Sequence, residues 1–281
     1  FYIVPNTGKE HSKIIIKKMI DWFTIRDLEI LLEESEYTKL HFKAYVVDIN
    51  DAMAKADCII VLGGDGTIIH TARRFSSYDL PFLGVNIGNL GFLAEVEATG
   101  VEDALEHLIT GNYQIEKRMM LSTCIDDICI GVALNDIVIS RTSISRMLGY
   151  TLYVNDELVD HYNADGVIVA TPTGSTAYNL SAGGPLLVPY NDVMVVTPIC
   201  PHSLTARSLV LAGEDKVTIT LANNRDTWDE ALTLTIDGQE AVSINKQTKI
   251  TITKSTKYTN LIKIMGNDFY SLLRQKLNKQ H

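Results

Sequence analysis

One carboxylate stands among three glycines at residues 63–67, Gly-Gly-Asp-Gly-Thr, directly after the apolar run Cys58-Ile59-Ile60-Val61-Leu62. Gly63, Gly64 and Gly66 permit a turn with positive φ and let backbone N–H groups approach a ligand. A helix starting near Thr67 would aim its positive end at the same point. Those features make a phosphate cradle. Asp65 would repel phosphate there unless a cation or a transferable proton intervened. It therefore fits a site where a nucleoside triphosphate arrives with a divalent cation, or where a hydroxyl gives up its proton. Taken alone, the segment reads equally well as a tight strand-to-helix turn whose aspartate caps the helix. It is neither a P-loop nor G-x-G-x-x-G, which disfavours a simple P-loop NTPase or Rossmann dehydrogenase.

Three further stretches offer chemistry. Gly88-Asn89-Leu90-Gly91-Phe92 follows an apolar run and brings two more glycines with Phe92, whose ring could stack on a base or fill a core. In Asn135-Asp136 an amide able to bond a base edge stands beside an acid able to accept from ribose hydroxyls, although the pair could equally end a strand. Residues 164–187 run from a strand, Val167–Thr171, into Pro172, Gly174 and a chain of small hydroxyl residues. Thr173, Ser175, Thr176, Tyr178 and Ser181, read as exposed, suit a polar, planar ligand. A long connection of Gly, Ser, Thr and Ala between apolar strands is costly without partners.

The elements that must position these residues change character near mid-chain. Before about residue 118, short apolar runs at 1–4, 58–62 and 81–85 alternate with helical patterns. Ile15, Ile16, Met19, Ile20 and Phe23 recur at helical spacing, as do Val101, Ala104, Leu105 and Leu108. Continuous apolar strands between helices imply a parallel sheet covered on both faces. After about residue 120 the period becomes two, with turns at Asn155-Asp156 and Asp237-Gly238 and alternating runs at 217–221, 232–237 and 249–254. That half reads as an all-β sandwich or barrel. At the end, Asn267 and Asp268 stand as capping candidates before Phe269, Leu272, Leu273 and Leu277, which predict a final helix.

Composition narrows the class. The 281 residues are 46% hydrophobic and 21% charged, with a net charge of −9, which argues against non-specific nucleic-acid binding. No apolar run approaches the roughly 18 residues that span a bilayer, and no signal-like stretch opens the chain, so the expected setting is cytoplasmic with no membrane partner. The four cysteines form no C-x-x-C pair, so free thiols are expected rather than disulfides or a thiolate metal site.

As an ordered set, these stretches closely resemble the NAD kinase (ATP-NAD kinase) family. The resemblance rests on GGDGT at 63–67, GNLGF at 88–92, the Asn-acid pair at 135–136, DG at 165–166, TPTGSTAY at 171–178, SAGGP at 181–185, TPICPHSL at 197–204 and IDGQ at 236–239. GGDGT also occurs in diacylglycerol and sphingosine kinases and in some phosphofructokinases, but the set covers nearly the whole chain.

The resemblance implies transfer of the γ-phosphate of ATP, or of polyphosphate in some members, to the 2′-hydroxyl of the adenosine ribose of NAD, giving NADP. It implies an α/β N-terminal domain with a Rossmann-like parallel sheet (1–118), a C-terminal β-sandwich that binds NAD (119–257), and a last segment (258–281) whose helix returns to the first domain. By this analogy Asp65 accepts the 2′-OH proton. Gly63, Gly64, Gly66, Thr67 and Arg73 hold donor phosphates, and Mg²⁺ or another divalent cation rides chiefly on donor oxygens. NAD is assigned Asp65, Gly66, His70, Phe92, Asn135, Asp136, Arg146, Asn163, Asp165, Thr176, Ala177, Tyr178, Ser181 and Gln239. Asp165 takes the nicotinamide portion, and the segment from Thr176 to Ser181 takes the adenine portion. A homodimer or homotetramer is expected.

Two positions depart from the family pattern. Asp136 stands where relatives usually carry Glu, keeping the charge but losing a methylene of reach. Asn163 stands where a basic residue is common, and Arg146 partly compensates. Arg73 and Arg74 read equally as phosphate partners or as solvated charges. Pro198, Pro201 and Arg207 read as shaping a loop and an interface. Two other functions fit parts of the chain: a lipid or sugar kinase sharing only GGDGT, and a catalytically silent NAD-binding regulator. The hydroxyl-rich acceptor segment and the acidic composition speak against the first, and the intact Asp65 against the second.

Overall fold

A computed structural model describes residues 1–6, 10–33, 45–46, 48–88, 91–142, 147–221, 232–245, 247–264 and 269–278. The chain divides into two compact units, Phe1–Lys117 with Thr259–His281, and Arg118–Tyr258. Among the described residues no helix is long and apolar enough to cross a membrane.

In the first unit, strands Tyr45–Val46, Leu31–Leu32, Tyr2–Val4, Ile59–Leu62 and Pro81–Asn86 lie side by side in that order, and every one of these pairings is parallel. The last residues of strand Lys249–Lys263 add a further parallel partner, Asn260 facing Pro81 and Leu261 facing Phe82. Ile59, Ile60, Val61 and Leu62 are all 0% exposed, as expected of a strand covered on both faces. On one face Ile60, Leu62, Leu83 and Val85 pack against Ile16, Met19 and Phe23 of helix Glu10–Ile25 and Leu105 of helix Val101–Ile109. The predicted apolar periods of both helices thus coincide with their buried faces. Helix Asp65–Arg74 is followed by Phe75, whose ring meets the edge of Tyr2 at 5.5 Å.

The second unit is a β-sandwich. One sheet runs Leu209–Ala212, Val193–Ile199, Gly166–Ala170, Asp136–Arg141, Leu232–Ile236, Glu240–Ile244, all antiparallel. The other runs Glu157–Ala164, Leu148–Val154, Val217–Leu221 and the first part of Lys249–Lys263, which also pairs with the hairpin Gln114–Ile125/Ile128–Ala133. Ile139, Val167, Val169, Val196 and Leu234 of the first sheet share one core with Tyr150, Leu152, Ile219 and Ile250 of the second. Alternation along each strand is what places them together. The tight turns fall where Asn and Asp tolerate positive φ: Asn155 (52°) with Asp156 (68°), Asp237 (52°) with Gly238 (64°), and Asp126 (45°) with Asp127 (68°).

Two expectations change. The strand beginning at Lys249 runs to Lys263, well past residue 254, and carries the chain from the second unit into the first. Cys124 and Cys129 face each other across the hairpin Gln114–Ile125/Ile128–Ala133 and form a disulfide, so only Cys58, buried, and Cys200, exposed, are free thiols. The pairing is a register effect: a two-residue turn closes the strands and brings positions five apart opposite each other. The final helix is Phe269–Asn278; its capping candidates Asn267 and Asp268 lie outside the described residues.

Candidate active site

The Gly-Gly-Asp-Gly-Thr turn sits at the carboxyl end of strand Ile59–Leu62 in the first unit. Gly63 N–H donates to the Val85 carbonyl (2.9 Å), which closes the strand. Gly64 is the N-cap, in extended conformation (φ −94°, ψ −175°), and its carbonyl accepts from Thr67 N (3.0 Å) and Ile68 N (3.2 Å). The helix therefore starts at Asp65, two residues before the expected position.

None of the three glycines has positive φ, contrary to the sequence expectation, because Gly66 is already helical and Gly64 extended. Gly63 is small for another reason: a Cβ there would lie 2.6 Å from Thr67 Cβ. At Gly64 and Gly66 a Cβ would meet nothing within 4 Å, so the fold itself does not demand glycine at either position. The cradle also has one donor fewer than expected, since Val85 takes the Gly63 amide.

Asp65 is held from the side as well as from its own helix. Phe92 N–H donates to Asp65 Oδ2 (2.7 Å) and Leu93 N–H to Oδ1 (3.0 Å). A Cβ on Gly91 would run into the same carboxylate, so glycine there is what lets the two amides reach it. Two amide donors and the positive end of a ten-residue helix fix one rotamer and leave each oxygen a second lone pair. Phe92 is half-buried, its ring 6.3 Å from Phe269 and beneath Lys276 Nζ (5.7 Å), so the C-terminal helix covers one side of it. Of the basic residues, His70 is exposed and Arg73 half-buried. Arg74 forms a two-pronged pair with Glu33 (2.9 and 3.1 Å), and that bond holds its pKa above the usual value. Arg74 is thus a solvent-exposed charge engaged by Glu33.

In the second unit, Asp237 organises Asn135 and Asp136. Its Oδ1 accepts from Asn135 N (2.7 Å) and Asp136 N (3.0 Å), and its Oδ2 from Leu134 N (2.9 Å). Thr171 completes the clamp, donating its N–H to the Asn135 carbonyl (2.8 Å) and its hydroxyl to the Leu134 carbonyl (2.6 Å). Gly174 packs on the Asn135 backbone so closely that a Cβ would overlap it. Asp136 is 5% exposed, and burial together with the neighbouring Asp237 charge pushes its carboxyl up to about 7.

The hydroxyl-rich loop divides differently from the expectation. Thr173 (6% exposed) and Ser175 (0%) are buried. Arg118 donates to Thr173 Oγ1 (3.2 Å), while Ser175 Oγ donates to the Pro172 carbonyl (2.7 Å) and accepts from Leu187 N (3.0 Å). The Thr173 hydroxyl thus serves a buried guanidinium and that of Ser175 backbone groups of the loop, instead of facing solvent. Asn179, also 0% exposed, staples the loop by donating to the Ser175 and Pro185 carbonyls (3.2 and 3.0 Å) and accepting from Thr197 Oγ1 (2.7 Å). Thr176 and Ala177 are half-buried, and Tyr178 and Ser181 exposed, so these four remain accessible.

Asp165 stands apart from this cluster. Asp136 pairs with Ala170 at one end of strand Gly166–Ala170, whereas Asp165 precedes the other end, five residues and roughly 16 Å from Ala170 at strand rise. There Asp165 forms an ion pair with Arg141 (2.6 Å). Asn163 lies on the same side, its carbonyl accepting from His202 N (2.9 Å), and Gln239 is exposed in the turn after Asp237. Arg146 lies outside the described residues. The sequence reading missed Asp237 as an organiser, Arg141 as the partner of Asp165, and the Phe92 and Leu93 amides. Asp237-Gly238 reads in the sequence as a turn and as part of IDGQ, and neither reading points to the three amides that Asp237 binds.

An acid oriented at a glycine-lined helix start, on the carboxyl edge of a parallel sheet, is an arrangement suited to phosphoryl transfer in the α/β class. The ATP-NAD kinase N-terminal domain model matches residues 2–113, and the ATP-NAD kinase C-terminal domain model matches residues 134–264. A NAD kinase of Caldanaerobacter subterraneus subsp. tengcongensis is 42% identical over 282 residues, covering 99% of this chain and 98% of the relative. One from Lachnospira eligens is 37% identical, covering 99% of each. The fold matches yeast NADH kinase complexed with NADH (TM-score 0.91, 23% identity, 99% of this chain and 86% of that one). It also matches a NAD kinase from Archaeoglobus fulgidus in complex with ATP (TM-score 0.77, 24% identity, 99% and 98%). The chain belongs to the NAD kinase family.

Proposed function

We propose that the chain transfers the γ-phosphoryl group of ATP to the 2′-hydroxyl of the adenosine ribose of NAD, with Asp65 accepting the hydroxyl proton. The observation that carries this reading is the Asp65 carboxylate, set at the start of helix Asp65–Arg74 and oriented by the Phe92 and Leu93 amides.

A ribose hydroxyl is too weak an acid to be deprotonated beforehand. Its proton moves to Asp65 as the O–P bond forms and negative charge shifts onto the phosphoryl group. Positioning and charge neutralisation then carry most of the acceleration. The amides of the first turn, with Thr67 and Arg73, serve the donor phosphates. Among the described residues no group of three or more His, Cys, Asp or Glu is placed to hold a metal. Asp65 already spends one lone pair per oxygen on amides. The residues present thus fit a divalent cation carried mainly by donor oxygens, which would neutralise phosphate charge.

In the second unit, Asn135 and the accessible Thr176, Ala177, Tyr178 and Ser181 recognise the adenosine half of NAD, and Asp165 the nicotinamide half. Asp136, 5% exposed, stands beside Asn135 as the acid of the pair. Mg²⁺, a cytoplasmic setting, polyphosphate as an alternative donor and a homodimeric or homotetrameric state belong to this reading on family grounds.

The test is NADP formation from NAD and Mg-ATP, read with an NADP-specific dehydrogenase, for the parent and Asp65→Asn. The expected result is a kcat lower by about 10²–10⁴-fold with NAD binding retained. Parental turnover in Asp65→Asn would remove Asp65 from the chemistry.

A further inference from the structure

The loop that holds Asp65 is itself held by the end of the chain. A Cβ on Gly84 would lie 2.6 Å from Ile68 Cδ1, 3.1 Å from Ala94 Cα and 3.4 Å from the Leu93 carbonyl, so glycine there lets residues 93–94 descend onto the sheet. Glu95 N–H then donates to the Gly84 carbonyl (3.0 Å). The Glu95 side chain, 2% exposed, accepts from Lys263 Nζ at Oε2 (2.7 Å) and from Ile264 N–H at Oε1 (3.2 Å). Lys263 ends the strand whose Asn260 and Leu261 pair with Pro81 and Phe82, on the strand that contains Gly84. The amides that orient Asp65 belong to residues two and three positions before Glu95. Glu95 is thus clamped on both sides, by its own amide and by its carboxylate.

We propose that the buried Glu95–Lys263 pair positions the phosphoryl-transfer site. It fixes the Phe92 and Leu93 amides and, through them, the direction in which the Asp65 carboxylate points. Glu95 touches no reacting atom in this scheme and is a positioning residue, not a catalytic one. The inference rests on the reading of Asp65 as proton acceptor. A pair kept only for stability would be a poor device, because a buried ion pair often gains little over well-packed apolar side chains. Rigid placement of a reacting carboxylate is a task that hydrogen-bonded charge performs better.

Glu95→Gln tests this without opening a cavity. Its single amide oxygen can serve only one of the two donors, Lys263 Nζ or Ile264 N–H, and its NH₂ faces the other. The expected result is a kcat about tenfold lower, with KM for NAD and for ATP within about twofold of the parent. Lys263→Arg, which keeps the charge, should stay within about threefold of parental kcat. In an Asp65→Asn background, Glu95→Gln should produce no further drop. If Glu95→Gln does not fold, Lys263→Gln gives the same readout from the less buried partner. A lower melting temperature with unchanged kcat, or a loss that multiplies with that of Asp65→Asn, would reduce the pair to a structural bridge. Parental turnover in Asp65→Asn alone would instead overturn the proton-acceptor reading, and this proposal with it.

Discussion

Replacing Gly91 with alanine is a sharp test of how Asp65 is oriented. The added Cβ would overlap Asp65 Oδ1 and Cγ outright and sit 2.6 Å from Oδ2, where ordinary contact begins near 3.4 Å, so carboxylate and loop must separate by well over about 0.8 Å. Neither side yields freely. The carboxylate sits in the first turn of its helix and accepts from Phe92 and Leu93, and the loop rests on Gly84. A displacement of that size at a reacting group costs on the order of 10²-fold in rate, or about 2.7 kcal/mol of barrier. Overpacking costs about 1–3 kcal/mol of stability, which leaves the protein folded at assay temperature. The assay is steady-state NADP formation at saturating NAD and Mg-ATP, with a thermal melt on the same sample. A folded Gly91→Ala variant whose kcat lies within about threefold of the parent would refute the claim that this contact sets the reacting carboxylate.

Two further outcomes follow from the second unit. Asp237→Asn leaves one carbonyl oxygen for three backbone donors, so a loss of about 3 kcal/mol in urea-unfolding stability is expected, with a raised KM for NAD and little change in kcat. Asp136 gives a pH dependence of defined sign. Its carboxyl is raised from 3.8 to about 7 in the folded protein, so between those values the folded state holds a proton that the unfolded state has lost. Its contribution to stability therefore falls as pH rises through that window, by at most about 1.4 kcal/mol per pH unit, and levels off above about 7. Asp136→Asn should flatten this slope between about pH 4 and pH 7 in denaturant titrations, and an unchanged slope would assign the titration elsewhere.

Elements with strong local period were legible. Ile16, Met19 and Phe23 announced a helix face, and Val217, Ile219 and Leu221 a strand face; all are buried on the predicted side. Interactions that span the chain were not. Asp65 and Phe92 are 27 residues apart, Asp237 and Asn135 are 102 apart, and neither bond leaves a pattern within a window of residues. Strand Lys249–Lys263 was read too short because Ser255 to Tyr258 break the alternation, and Thr259 and Asn260 are polar yet buried. Ser175 misled for a related reason: a hydroxyl that bonds nearby carbonyls can be fully enclosed, so polarity alone did not predict exposure. Asp65 itself was found from residue type and spacing. What holds it depends on Gly91 and Gly84, whose meaning is visible only as missing atoms.

The strand that begins in one unit and ends in the other also orders events during synthesis. The first unit recruits Thr259 onward, about 140 residues after Lys117, and at ordinary elongation rates that gap lasts roughly 7–28 s. Until then strand Pro81–Asn86 lacks its partner at Asn260 and Leu261, and Glu95 lacks Lys263. The sandwich is contiguous from Arg118 to Tyr258, so the half translated first cannot be completed until the other has been synthesised. A nascent chain stalled in that interval would carry an open sheet edge, a species that chaperones bind and that aggregates when they are scarce.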